Sequence, residues 1–371
     1  MSKRLEGLRQ QLKRGDIDAI LISQGYNRRY LSGFTGSAGL LLITQDRALL
    51  VTDFRYIEQA QSEAPEFEII RMQGAVSQWF PTFVSGLRIQ KLGFEDRDVS
   101  VNTYKEFTEA ISGLDYEIGL VPTSGLVESL RSVKDDEELK YLEQAAALSD
   151  AALEEILPGM QPGMSEKALA WELESFLRRS GSEPLPFDII VASGPNSALP
   201  HAKPTERAIL ENEPVVIDLG ARVGGYVSDI TRTVCLGEGG NTFRRIYDIV
   251  LGAQLTAMAT LQAGMNGEQV DQLGRTVIAK AGYKENFGHG LGHGIGLAAH
   301  EEPRLGPNST SIITEGMVFT IEPGIYISGW GGVRIEDTVL ITRRGCEVLT
   351  KDVPKEIDEI EKLMANPHGS R

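Results

Sequence analysis

Residues 215–234 read VVIDLGARVGGYVSDITRTV. Two runs rich in Val and Ile flank Val223-Gly224-Gly225, the pattern of a β-hairpin, yet each run carries an aspartate, Asp218 and Asp229. With the turn centred between Val223 and Gly224, the two acids lie equally far from it and face each other across the strands. Residues 319–341 repeat the device. FTIEPGIYI and VRIEDTVLI flank Ser328-Gly329-Trp330-Gly331-Gly332, and Glu322 and Glu336 are equidistant from Gly329.

Outward from these hairpins the chain repeats itself weakly. PGMSEKALAWELESFLRRSG (162–181) and AGMNGEQVDQLGRTVIAKAG (263–282) share a Gly-Met pair, then a capping residue, Ser165 or Asn266, ahead of a helical pattern. A glycine follows each cap by sixteen residues, Gly181 or Gly282, and suits the left-handed position after a helix. Two similar halves, each ending in an acid-bearing hairpin, predict a pseudo-twofold domain with the acids at its centre. A helix over 135–157, with Leu139, Leu142, Leu153 and Ile156 on one stripe and Pro158-Gly159 as its stop, precedes the repeat.

Asp218, Asp229, Glu322 and Glu336 are set among Val, Ile and Leu, where strands bury. An unpaired buried carboxylate is strongly disfavoured, and clustered carboxylates raise one another's pKa. One such acid could face solvent or a neighbouring Arg232, Arg334 or Arg304. Four in mirrored hairpins point instead to divalent cations, two of which would supply four positive charges with a neutral imidazole completing the ligand set. Oxygen-rich ligation with one imidazole ranks manganese first, with cobalt, zinc and iron open. A pair of metals activates water and polarises a carbonyl, so metal-assisted hydrolysis is the chemistry indicated.

Three of the five histidines, His289, His293 and His300, lie in FGHGLGHGIGLAAHEEP (287–303). His289 and His293 have the spacing of a helical zinc pair. However, Gly290 replaces the glutamate of H-E-x-x-H, and five glycines between 288 and 296 argue against a helix. The run also fails G-x-G-x-x-G, so a dinucleotide site is unsupported. Its glycines suggest close backbone approach to a ligand. His201 lies in SGPNSALPHAKPT, a loop pattern between two strand-like runs, and His368 reads as a solvated side chain of the tail. No G-x-S-x-G elbow appears.

The first third alternates short apolar runs with amphipathic segments. Leu5, Leu8 and Leu12 mark a helix, DAILI, FEIIRM and KLGFE strands, GLLLIT and RALLVTD a hairpin, and 56–64 and 102–112 helices. Residues 121–125, VPTSG, read as the linker that ends this domain. The chain has 52 acidic against 37 basic residues, net -15, which disfavours nucleic acid and anionic membrane as partners. No apolar stretch is long enough for a membrane span, and no signal peptide is recognisable. Only Cys235 and Cys346 occur, both in strand-like runs that read as core, so a reducing cytoplasm fits.

IDLGARVGGYVSDITRT, GHGLGHGIGLAAHEEP, TIEPGIYI and GGVRIEDTVLI, in that order, resemble the pita-bread metallopeptidases, in particular the aminopeptidase P and prolidase branch. The resemblance spans nearly the whole chain. It implies an α/β (α+β) protein, with a creatinase-like N-terminal α/β domain over 1–125 and a pita-bread catalytic domain with pseudo-twofold repeat over 126–371. Asp229 and Glu336 would bridge two metals, Asp218 would complete one, and His293 with Glu322 the other. By the same resemblance His201 and His300 orient the scissile carbonyl and stabilise the tetrahedral intermediate. His289 would line the proline-side pocket, and Arg334 would stand beside the metals. Arg304 could hold a substrate carboxylate or lie on the surface. The implied reaction is removal of the N-terminal residue from an Xaa-Pro bond of a proline-containing peptide, by a homodimer. Methionine aminopeptidase shares the five ligands but usually lacks the first domain; creatinase shares both domains but lacks the metal set. Non-catalytic binding modules on this fold have lost ligands that this chain keeps.

Overall fold

The computed structural model describes residues 3–365, so His368 lies outside the described residues. The chain divides into two compact units between Arg131 and Ser132.

The first unit is built on a six-stranded mixed sheet. Its strands lie in the order Glu68–Arg71, Ala48–Thr52, Leu40–Thr44, Ala19–Ile22, Lys91–Glu95 and Gly119–Thr123. The expected hairpin forms, pairing Leu40 with Val51 and Ile43 with Ala48. Ala19–Ile22 is fully buried, as an uninterrupted apolar run requires. Leu5, Leu8 and Leu12 bury along one side of the helix Lys3–Arg14. Residues 121–125 are not a simple linker. Gly119–Thr123 pairs in parallel with Lys91–Glu95 as the edge strand, where Pro122 costs no ladder bond. Two further helices form, Gly25–Ser32, which carries no clear stripe in sequence, and Val76–Ser85, which buries Phe80, Phe83 and Val84 on an apolar stripe and contains Pro81.

In the second unit the helix Asp136–Ile156 starts at a capping box, in which Asp135 accepts from Glu137 N and Glu138 N and Glu138 returns a bond to Asp135 N. The predicted repeat is present in detail. Ser165 and Asn266 cap helices Glu166–Arg179 and Gly267–Lys280, and Gly181 and Gly282 both take positive φ, 103° and 90°. The segments entering the two helices bond alike. Gly163 N donates to Ile209 O and Ile209 N to Met164 O, while Gly264 N donates to Ile313 O and Ile313 N to Met265 O.

Each half contributes an antiparallel sheet. One comprises Ile230–Cys235, Pro214–Leu219 and Ile190–Ser193; the other comprises Glu301–Leu305, Gly292–Gly294, Val318–Ile321, Asp337–Thr342 and Gly345–Val348. A bridge between Thr231 and Glu336 joins them, and a continuous core runs under both. Cys235 is buried, but Cys346 on the outer strand is only half-buried.

The first hairpin corrects the expected register. Gly224 and Gly225 both have positive φ, 58° and 84°, and Tyr226 pairs with Val223, so the turn centres between the glycines. Asp218 therefore lies opposite Thr231 rather than Asp229. In the second hairpin Ile321 pairs with Asp337 and Gly324 with Arg334, a register that sets Glu322 opposite Glu336.

Candidate metal centre

The acid-bearing strands are interrupted where three of the acids sit. Asp229 falls between Tyr226–Val227 and Ile230–Cys235, Glu322 between Val318–Ile321 and Gly324–Ile327, and Glu336 between Gly331–Arg334 and Asp337–Thr342. Pro323 has no N–H for the ladder, and Thr338 Oγ1 donates to Asp229 O (2.8 Å), anchoring that break. Asp218 alone lies within a regular strand, Pro214–Leu219.

These breaks direct the side chains together. Ligand atoms of Asp229, His293 and Glu336 lie within 4.8 Å of one another. His293 Nε2 is 3.4 Å from Glu322 Oε1 and 3.7 Å from Asp229 Oδ2. The His293 Nδ1 faces Gly294 O at 3.1 Å, which places the proton there and turns the Nε2 lone pair toward the acids. Burial lowers the His293 pKa and holds the ring neutral. Asp218 accepts from Arg334 Nη2 through Oδ2 (2.6 Å), while its buried Oδ1 has no hydrogen-bond partner among the described residues. An orphaned carboxylate oxygen, buried Asp229 and Glu336, half-buried Glu322 and an aimed neutral imidazole fit divalent metal in donor chemistry.

The acids' electrostatics agree. Burial first, then Glu336, Asp218 and Glu322, pushes the Asp229 carboxyl well above the ordinary range. Burial, then Glu322 and Asp218, does the same to Glu336; burial also raises Glu322, against the pull of His289 and Arg334. Arg334 is the buried cation among them. It donates through Nε to Thr231 Oγ1 (3.1 Å), and through Nη1 to Pro200 O (3.2 Å) and Tyr326 Oη (2.9 Å). Arg232 faces the other side of the sheet and pairs with Asp337 (2.8 Å), so it neutralises none of the four.

The remaining candidates divide by exposure. His201 and His300 are exposed, and the His300 ring packs on His293 at 4.0 Å between centroids. Burial, then the neighbouring His293, lowers the His300 pKa. Both nitrogens of half-buried His289 are engaged, Nδ1 by Gly290 O (2.8 Å) and Nε2 by Tyr326 Oη (2.9 Å). Exposed Arg304 pairs across the strands with His293, which puts both side chains on one face.

The glycines of 288–296 do not mainly make room for a ligand. A Cβ at Gly290, Gly292 or Gly294 would meet Leu305 O, Thr320 O or Glu302 O at 2.6, 1.9 and 2.1 Å. They let the His293 strand lie against neighbouring backbone. Sequence reasoning passed over Thr231, whose hydroxyl donates to a Glu336 oxygen, Thr320, whose hydroxyl donates to Glu322 Oε1 (3.0 Å), and Tyr326, which joins His289 to Arg334. The available signal was period two: Thr231 follows Asp229, and Thr320 precedes Glu322, by two residues.

Comparison with known proteins gives two matches along the chain, the Creatinase/Prolidase N-terminal domain over residues 4–133 and Metallopeptidase family M24 over 140–343. A curated Xaa-Pro dipeptidase of Pyrococcus horikoshii is 35% identical over 95% of this chain and 97% of its own length. An Xaa-Pro dipeptidase structure from Bacillus anthracis superposes with a TM-score of 0.91 at 46% identity, covering 96% of this chain and 98% of that one. An X-Pro aminopeptidase structure from Thermotoga maritima gives 0.85 at 37% identity, covering 93% and 99%.

Proposed function

This chain belongs to metallopeptidase family M24, and we propose that it is a metal-dependent exopeptidase that hydrolyses the Xaa-Pro bond and releases the N-terminal residue of proline-containing peptides. The observation that carries this reading is the cluster of Asp229, His293 and Glu336, with Glu322 3.4 Å from His293 and a buried Asp218 oxygen without a hydrogen-bond partner among the described residues. Asp218, Asp229, His293, Glu322 and Glu336 would hold two divalent cations, manganese ranking first. Such a pair supplies activated water at neutral pH and polarises the scissile carbonyl.

This chain's own residues do the rest. Thr231 and Thr320 orient Glu336 and Glu322, and Arg334 fixes Asp218. Exposed His201 and His300 would bind the carbonyl oxygen and donate as it gains charge. His289, locked by Gly290 and Tyr326, offers an aromatic wall with Phe287 for the proline side. Arg304, on the His293 face, is the proposed grip for a substrate carboxylate. A homodimer in the cytoplasm is the proposed state, in keeping with two free cysteines.

Metal-loaded protein assayed on Xaa-Pro and Xaa-Pro-Yaa tests the reading. Cleavage of Xaa-Pro is expected, with Arg304→Ala raising KM for the dipeptide more than for the tripeptide. Asp229→Ala and Glu336→Ala should each lose metal and turnover together. Full activity in either variant refutes the two-metal assignment.

A further inference from the structure

His300 stands on a segment without regular structure, residues 295–300, between the strands Gly292–Gly294 and Glu301–Leu305. A side chain that must meet a reacting carbonyl needs its backbone held, because a displacement of about 1 Å can cost on the order of 100-fold in rate. The next residue holds it. Glu301 turns its carboxylate back into the loop, where Oε1 accepts from Ala298 N at 2.8 Å. The loop closes tightly on that carboxylate, since a Cβ on Gly296 would lie 2.7 Å from Glu301 Oε2 and 3.0 Å from Oε1. Gly296 O accepts from Val227 N (2.9 Å) and Leu297 O from Arg222 Nη1 (3.3 Å), tying the outer side of the loop to the first hairpin.

A buried carboxylate in this position needs a cation, and Lys134 provides one. Its Nζ is 3.8 Å from Glu301 Oε2, and the two side chains are 1% and 6% exposed. Lys134 is itself fixed, with its N–H on Gly316 O (2.9 Å) and Nζ on Ser132 O (3.3 Å). We propose that Glu301, held by Lys134, is a positioning residue that sets the His300 loop for the reaction. The proposal rests on the assignment of His300 to the substrate carbonyl.

The test is a double-mutant cycle on Mn2+-loaded, full-length protein with an Xaa-Pro dipeptide. Glu301→Ala should lower kcat about 10- to 100-fold with KM little changed, bound metal per chain unchanged and a cooperative unfolding transition retained. In a His300→Ala background the same change should cost less than about twofold, because the residue through which it acts is already gone. Glu301→Gln keeps an acceptor for Ala298 N and loses the attraction to Lys134. It should fall between wild type and Glu301→Ala, and Lys134→Met should add nothing to it. If Glu301→Ala does not fold, the Glu301→Gln and Lys134→Met cycle in the two backgrounds decides. Equal losses in the presence and absence of His300, or no loss in wild type, overturn the proposal. A His300→Ala protein with full activity overturns the His300 assignment itself, and this proposal falls with it.

Discussion

Replacing Thr231 by Val keeps the shape of the side chain and removes one hydroxyl from the centre of the site. That hydroxyl donates to a Glu336 oxygen and accepts from Arg334 Nε at 3.1 Å, so its loss releases the Glu336 carboxylate and strands a buried guanidinium N–H. A hydrogen bond to an ionised group is worth roughly 1.5–3 kcal/mol, and a buried donor left unpaired costs about 1–3 kcal/mol. At about 1.4 kcal/mol per decade, the first loss alone corresponds to about a 10- to 150-fold weaker hold on metal if it falls wholly on the Glu336 orientation. Loss of an outer-shell partner typically costs about 10–100-fold in affinity or activity, which is the same range. Titration of metal-free protein with Mn2+ by calorimetry, alongside turnover at saturating metal, measures both effects. Thr231→Ser should restore most of the loss, since it returns the oxygen and gives up only a methyl group. Wild-type metal affinity and turnover in Thr231→Val would refute the claim that this hydroxyl orients Glu336.

Metal binding should release protons and strengthen as pH rises. Asp229, Glu322 and Glu336 have folded-state pKa values raised, above all by burial, so these three groups bind more protons in the metal-free native protein than in the unfolded chain. The stability these three groups contribute is therefore fully present below the ordinary carboxylate range, near 4, and is lost as pH climbs through the raised values. Calorimetry in buffers of different ionisation enthalpy reads the protons released, and a buffer-independent heat would contradict this. Gly292→Ala should impair metal binding without adding any polar group, because the new methyl would meet Thr320 O beside His293. Overpacking of this kind typically costs about 1–3 kcal/mol. Denaturant unfolding and metal titration check it, and a variant equal to wild type in both means that the strand has room to move.

Much of this site was legible in the sequence because its elements are local. Asp218, Asp229, Glu322 and Glu336 stand out as acids in apolar runs, and caps at Ser165 and Asn266 announce the two related halves. Register was less legible. A shift of one residue in the turn centre moves every cross-strand partner by two, and Gly224-Gly225 rather than Val223-Gly224 forms the turn because both residues need positive φ. Residues 121–125 read as a linker because Pro122 and the following Ser-Gly carry loop signals, whereas 121–123 end the edge strand Gly119–Thr123, where proline is tolerated.

The sequence by itself determined the candidate ligand types, their grouping into hairpins and the chemistry that such acids in apolar strands indicate, since those follow from residue identity and short-range period. Only the tertiary structure decided which groups answer one another. Thr231 serves Glu336 from 105 positions away, Arg334 reaches Asp218 across 116, and Arg232 turns away to Asp337 although it adjoins Thr231. Strand pleating sends neighbouring side chains to opposite faces, and the bridge between the two sheets chooses which faces meet.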